Sequence, residues 1–204
     1  MTIPSPLPLR QQTQPFDGQD WIYEIKHDGF RALAVIERGK CRFLSRTLHD
    51  LYGFGDLRTA LAEELQVDDA VLDGELAVMD EAGRTLFAPI MRKRLDARYF
   101  AFDLIWLNGK DLRREPLLTR KNRLKQLVPR YSSHILYVDH VRNVGRRLFQ
   151  IACQLDLEGI VAKRIDSRYA KTSRSPWIKI KNPSYRGERW AAYDDSSNFP
   201  IQRR

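Results

Sequence analysis

An α+β fold, with antiparallel sheets flanked by helices, is what this sequence predicts, and three observations point to it. Apolar, strand-like runs follow one another in hairpin order with turn residues between them. Only a few helical periodicities intervene, so the one-for-one alternation of strand and helix that builds a doubly wound parallel sheet is missing. At 204 residues the chain can bury one large core and is too short for two domains of ordinary size.

The opening "MTIPSPLPLR" is Pro-rich and reads as an arm, residues 1–19, laid over the surface; it lacks the basic start and apolar core of a secretory signal. Residues 21–45 read as a hairpin unit. "WIYEIK" alternates, Asp28-Gly29 supplies a turn, "RALAVIE" is the next strand, and "RGK" turns the chain into "CRFLS". "FGDLRTALAEEL" spaces Phe54, Leu57, Leu61 and Leu65 as an amphipathic helix does. "AVLDGELAVMD", "DEAG" and "RTLF" form a second hairpin, and "RYFAFDLIWLNG" is a central strand closed by an Asn-Gly turn. "LLTRKNRLKQLV" is a basic helix, "HILYVDHV" a strand and "VGRRLFQIACQLD" a helix. "EGIVAKRI" and "WIKIK" are closing strands joined by the polar "DSRYAKTSRSP". The domain so delimited is 20–190, and 191–204 is a polar tail.

Composition narrows the function classes. No apolar run approaches the roughly 20 residues that span a bilayer, which excludes a helical integral membrane protein. Cys41 and Cys153 have no CxxC or Cys/His spacing and read as small core residues of a reduced, cytosolic protein. His27, His49, His134 and His140 are scattered, which argues against a histidine metal site. The net charge of +9 favours a polyanionic partner, nucleic acid first.

The chemistry concentrates around "YEIKHDGFR". A K-x-D-G-x-R pattern arises by chance in a chain this long at roughly two in a thousand, and Lys26 taken singly reads as a strand-end charge beside a turn. Further segments follow in order: "SR" at 45–46, "LDGEL" at 72–76, "FAFDLIWLNG" at 100–109, "EGIVAK" at 158–163 and "WIKIK" at 177–181. Taken singly, Phe102 is core, Glu75 and Glu158 are hairpin surface charges, Arg31 and Arg46 are strand ends, and Lys179 and Lys181 are a solvated strand face. Their joint occurrence changes that. A lysine can attack a phosphate only as the free amine, and an unperturbed lysine is protonated at neutral pH. Lys179 and Lys181, on one strand face, are expected to disfavour charge on Lys26 and to neutralise the phosphates it attacks.

These segments resemble motifs I, Ia, III, IIIa, IV and V of the covalent nucleotidyltransferases, closest to bacterial ATP-dependent DNA ligases and especially the ligase modules of end-joining enzymes. The resemblance covers roughly residues 20 to 190. It implies an ATP-grasp-like nucleotide pocket between antiparallel sheets, with ATP and Mg²⁺ or Mn²⁺ as cofactors. It also implies roles for residues. Lys26 is the nucleophile that forms lysyl-AMP; Glu24 meets the adenine amino edge; Arg31 meets the ribose or the nick phosphates; Glu75 binds the ribose hydroxyls and Phe102 stacks on the base. Glu158 holds the metal, Lys179 and Lys181 contact the α-phosphate, and Arg46 engages DNA.

Only 23 residues (182–204) follow Lys181, whereas an OB domain needs about 50 or more, so an OB domain is expected to be absent. The 25 residues before Lys26 are too few for the extra domain of NAD-dependent ligases. "SRTLHD" carries Leu48 where related ligases often have glycine. The expected partners are nicked or broken duplex DNA and a separate OB-containing or end-joining protein, with no membrane, in the bacterial cytoplasm at the nucleoid. The expected activity is AMP transfer to a DNA 5′-phosphate, inefficient without an OB domain. "RKR" at 92–94, the run 113–125 and Arg146-Arg147 add phosphate-contact capacity. Two other readings stay open: an RNA ligase or GTP-using capping enzyme, and a weakly catalytic DNA- or nucleotide-binding module acting through a partner.

Overall fold

Strands β2 (Trp21–Ile25), β11 (Gly159–Arg164) and β12 (Trp177–Lys181) pair antiparallel at the heart of one sheet, with β1 (Arg10–Gln12) and β10 (Val141–Arg142) at its edges. A second sheet runs β4 (Lys40–Leu44), β3 (Phe30–Glu37), β5 (Asp69–Met79), β7 (Ala97–Leu107) and β8 (Lys110–Asp111). Here β6 (Thr85–Leu86) pairs with β5, and β9 (Ile135–Tyr137) with β7. The structure, a computed structural model, describes residues 3–86, 96–170 and 172–186, so the "RKR" cluster and the tail lie outside the described residues. The α+β class stands, but both sheets are mixed. β7 and β9 are parallel because the chain returns through a helical crossover, α2 (Leu117–Leu127), and β1 lies parallel to β12.

Alternation along the strands builds the layers. Ala32, Ala34 and Ile36 of β3 face α1 (Gly55–Leu65), which buries Leu57, Leu61 and Leu65 at the spacing read from the sequence. Leu33 and Val35 face the other sheet and meet Ile22, Trp177 and Ile105. The far side of the first sheet, with Tyr23, Ile160, Ala162, Ile178 and Ile180, is covered by α3 (Gly145–Gln154). The Arg38-Gly39 and Asn108-Gly109 pairs all have positive φ, the hairpin turn that "RGK" and "NG" announce.

Two expectations change. "WIYEIK" and "RALAVIE" are not a hairpin: β2 and β3 lie in different sheets, and residues 26–29 carry the chain across. Gly29 permits that crossing, because a Cβ there would lie 2.2 Å from the Leu76 carbonyl oxygen. "HILYVDHV" likewise divides into β9 in one sheet and β10 in the other, with Val138–His140 crossing between. The opening segment also does more than lie on the surface. Leu7 is buried between the sheets, its N–H donates to Tyr169 Oη (3.3 Å), and β1 extends the first sheet.

Candidate active site

Strand register assembles the site. On the inner face of the first sheet, Glu24, Val161 and Lys179 stand in one row across β2, β11 and β12. Beyond it, Lys26 N–H donates to the Gly159 carbonyl (2.9 Å), and Gly159 is paired with Lys181. Gly159 has φ +139°, and a Cβ there would lie 2.1 Å from the Ile180 carbonyl oxygen, so the "EG" step closes onto β12 only with glycine. On the facing sheet, Arg31, Glu75 and Phe100 form a row across β3, β5 and β7. Phe102 is the extra residue of a β-bulge between the Asp73–Asp103 and Gly74–Ala101 pairs. The bulge turns its ring toward the first sheet, 4.1 Å from Lys163 Nζ.

The structure brings Lys26, Glu158 and Lys181 together. Lys26 Nζ lies 2.5 Å from Glu158 Oε2, and Lys181 Nζ lies 3.3 Å from Oε1 of the same carboxylate. Burial would lower the Lys26 pKa, but Glu158 and then Glu75 outweigh it and raise it above the ordinary lysine value. The expectation that Lys179 and Lys181 depress Lys26 is therefore corrected. They are near, and Lys179 itself is lowered by desolvation, Lys181 and Lys26, but the carboxylate is closer to Lys26 and wins. Glu158→Gln is expected to move the Lys26 titration midpoint to lower pH by about one unit or more. The pH dependence of amine acylation at Lys26, followed by peptide mass spectrometry, measures it; an unmoved midpoint would refute the pairing.

Glu75 lies within the field of Lys26 and Glu158. Desolvation, only partly offset by Lys26, pushes its carboxyl up to about 8 from an ordinary 4.5. The folded chain therefore holds a proton that the unfolded chain releases. This contribution to stability is complete below about pH 4.5 and is lost as pH rises toward about 8. Glu75→Gln is expected to stabilise the fold at pH 8 by about 1–3 kcal/mol, or about 2–12 °C in Tm, and to change it little near pH 4.5. Equal gains at both pH values in thermal unfolding would contradict this.

The remaining expected residues are placed as follows. Arg31 is committed to Asp73, with Nε to Oδ1 at 3.1 Å and Nη2 to Oδ2 at 2.7 Å, and its Nη1 donates to the Leu7 carbonyl (2.5 Å). Tyr169 Oη donates to the same Asp73 oxygen (2.7 Å). Glu24 is buried between two lysines: Lys121 Nζ is 2.5 Å from Oε1 and Lys163 Nζ is 2.6 Å from Oε2. Arg46 is exposed just after β4, and its field reaches Lys179.

Several residues of the site carry no role in the sequence reading. The Asp28 backbone N–H donates to Thr85 Oγ1 (3.0 Å), and its carboxylate accepts from Tyr185 Oη at 2.9 Å. Lys163 ends "EGIVAK" and was open to notice. Arg120 and Lys121 looked like surface cations, yet they sit three and four residues from both Leu117 and Leu124, inside the apolar stripe of α2. A cation in an apolar stripe is a signal of a buried counter-charge. Most of the basic run is in fact paired: Arg113 with Asp111, Arg120 with Asp103, Arg123 with Glu115 and Lys125 with Asp139.

The ATP dependent DNA ligase domain family matches residues 8–181. The chain belongs to that family. Its adenylation domain is similar to part of the multifunctional non-homologous end joining protein LigD of Pseudomonas aeruginosa, 37% identical over 175 residues that make up 82% of this chain and 21% of that protein. The chain thus spans about one fifth of that relative's length. It also resembles the SPbeta prophage-derived DNA ligase-like protein LigB of Bacillus subtilis, 28% identical over 89% of this chain and 68% of that one. Among solved structures, mycobacterial DNA ligase D complexed with ATP and MES superposes with a TM-score of 0.76 at 30% identity, covering 87% of this chain and 60% of that one. Chlorella virus DNA ligase-adenylate, at 19% identity and TM-score 0.62, covering 88% and 69%, shares the fold. An ATP-dependent ligase-type nucleotidyltransferase domain is therefore what the two facing sheets hold. Among the described residues no helix is long and apolar enough to cross a membrane.

Proposed function

We propose that Lys26 takes AMP from ATP and that the chain passes it to a DNA 5′-phosphate at a nick or break. The observation that carries this reading is the Lys26–Glu158–Lys181 cluster at the mouth between the sheets. The Lys26 ammonium first gives a proton to Glu158 and on to solvent; the free amine attacks the α-phosphorus, an N–P bond forms as the bond to the β-phosphate oxygen breaks, the second proton passes from nitrogen to solvent, and pyrophosphate leaves. Lys179 and Lys181 contact the α-phosphate and offset its charge. Phe102 stacks on the base and Glu24 accepts from its amino group. Glu75, largely protonated near neutrality, meets the ribose hydroxyls, and Arg31, fixed by Asp73, forms the wall beside the ribose.

The donor set fits a divalent cation. Among the described residues no three acidic, histidine or cysteine side chains converge on one point, but Mg²⁺ is usually held by one or two carboxylates plus substrate phosphates. Glu158 would be that carboxylate, with Mg²⁺ or Mn²⁺. Such an ion supplies charge neutralisation on the phosphates. Arg46 at the rim, with the net charge of +9, supports a duplex DNA partner. Likeness to the non-homologous end joining protein LigD supports a setting in end joining.

Incubation with α-labelled ATP, GTP or NAD in parallel, with Mg²⁺ or Mn²⁺, tests the proposal. The expected result is a protein-bound label from ATP that survives denaturing electrophoresis and is released by acid, as a P–N bond is. No label from ATP, or a preference for GTP, would sink it.

A further inference from the structure

The two lysines that clamp Glu24 are not equivalent. Lys121 Nζ is fully buried and its three donors are all taken within this chain: Glu24 Oε1 at 2.5 Å, the Val138 carbonyl at 2.9 Å and the Phe102 carbonyl at 3.4 Å. It has nothing left to offer a ligand. Lys163 has one oxygen partner among the described residues, Glu24, and otherwise lies against the rings of Phe102 (4.1 Å) and Trp177 (4.2 Å). The acceptors of Lys121 are also informative. Val138 lies where the chain crosses from β9 to β10, Phe102 is the bulged residue of β7, and Glu24 is on β2. One ammonium therefore ties both sheets together at the proposed base pocket.

We infer that Lys121 is a positioning residue that sets which nucleotide the site accepts, by holding Glu24 as an oriented carboxylate. This deepens the proposed function and rests on its reading of Glu24. An ionised Glu24 can only accept, which suits the 6-amino group of adenine and repels the 6-oxo group of guanine. A protonated Glu24 becomes a donor and loses that distinction. Burial alone would push the Glu24 carboxyl up; Lys121 first and then Lys163 reverse this and hold it below the ordinary value. The other titratable groups facing Glu24 are Tyr137 from β9, His140 from the crossing and His27 after β2. Desolvation holds His27 down to about 4 and raises Tyr137, and desolvation first and then Lys121 lower His140. Lys163, lowered by desolvation to about 8, remains its partner below that pH.

Equilibrium binding of ATP and GTP to Lys26→Ala and to Lys26→Ala/Lys121→Met tests this without chemistry. The preference for ATP is expected to fall by about tenfold or more on loss of Lys121. It is expected to be flat in the parent between about pH 5.5 and 7.5, and to climb with pH in the Lys121→Met variant as Glu24 ionises. In labelling assays Lys121→Met is expected to raise KM for ATP far more than it lowers the saturating rate, and Lys121→Arg to recover the preference. Equal losses for ATP and GTP at every pH would overturn the inference, since a merely structural lysine predicts that. If Lys121→Met does not fold, Glu24→Gln is compared with Glu24→Gln/Lys121→Met, a pair in which Lys163 has lost its carboxylate partner in both members alike and only Lys121 differs. Identical nucleotide preference in that pair supports the inference, and a further loss of preference overturns it. A Lys26→Ala chain that binds neither nucleotide would sink the adenylylation reading together with this one, whereas an unchanged preference in Lys121→Met sinks this one alone.

Discussion

Lys26→Ala is expected to remove the ATP-derived label by roughly four orders of magnitude or more, because the side chain is the bond-forming group. No neighbour can substitute. Lys179 and Lys181 lie on β12, and Lys181 is itself paired with Glu158. Lys26→Arg separates charge from nucleophilicity: a guanidinium can keep the ion pair with Glu158 but does not lose its proton in proteins. Its label is expected to be as low as that of alanine while its thermal stability stays nearer the parent. The fold should survive either change, since Glu158 retains Lys181 and its carbonyl still accepts the Asn182 N–H at 2.9 Å. Lys179→Ala and Lys181→Ala are expected to reduce the label without abolishing it. Persistent labelling of Lys26→Ala at the same peptide region would refute the assignment.

Asp103→Ala is expected to cost about 3–5 kcal/mol, or about 6–20 °C in Tm, the largest stability loss of any single polar change proposed for this chain. Asp103 and Arg120 are both fully buried and joined by two bonds, Nε to Oδ1 at 2.8 Å and Nη2 to Oδ2 at 2.7 Å. Arg120 also donates to the Glu115 and Ser167 carbonyls at 2.6 and 2.9 Å, so the pair clips α2 to β7 and to the loop after β11. Removing the carboxylate strands a guanidinium with no water to solvate it. The pair itself need not be stabilising, because two buried charges have already lost their hydration. Asp103→Leu/Arg120→Met is therefore expected to recover most of the loss. Denaturant unfolding of the single and double variants measures both, and a double variant less stable than Asp103→Ala would contradict the account. Asp103 follows the bulged Phe102, so the single variant is also expected to weaken nucleotide binding.

Much of this was legible in the chain itself. The apolar spacing of Leu57, Leu61 and Leu65 predicts α1, Asn108-Gly109 predicts the turn after β7, and "EGIVAK" and "WIKIK" predict the paired β11 and β12, because each pattern expresses local geometry. Chemically, Lys26, Glu158 and Lys181 were nameable from their motifs, and they do converge. Less legible was the state of that cluster. The charge on Lys26 depends on whether Glu158 or the two β12 lysines stand closer, and a few ångströms decide the sign.

By itself the sequence determined the element types, the α+β class and the family chemistry, since these follow from periodicity, turn residues and motifs read over a few residues at a time. Tertiary structure alone decided that β2 and β3 part into different sheets and that residues 134–141 cross between them. Backbone pairing is chosen among distant partners, and a strand's own pattern does not name its neighbour. It also decided that Arg120 and Lys121, cations in a basic run, are core residues. A charge is tolerated in a core only where a counter-charge meets it, and the partner of Lys121 stands 97 residues away at Glu24.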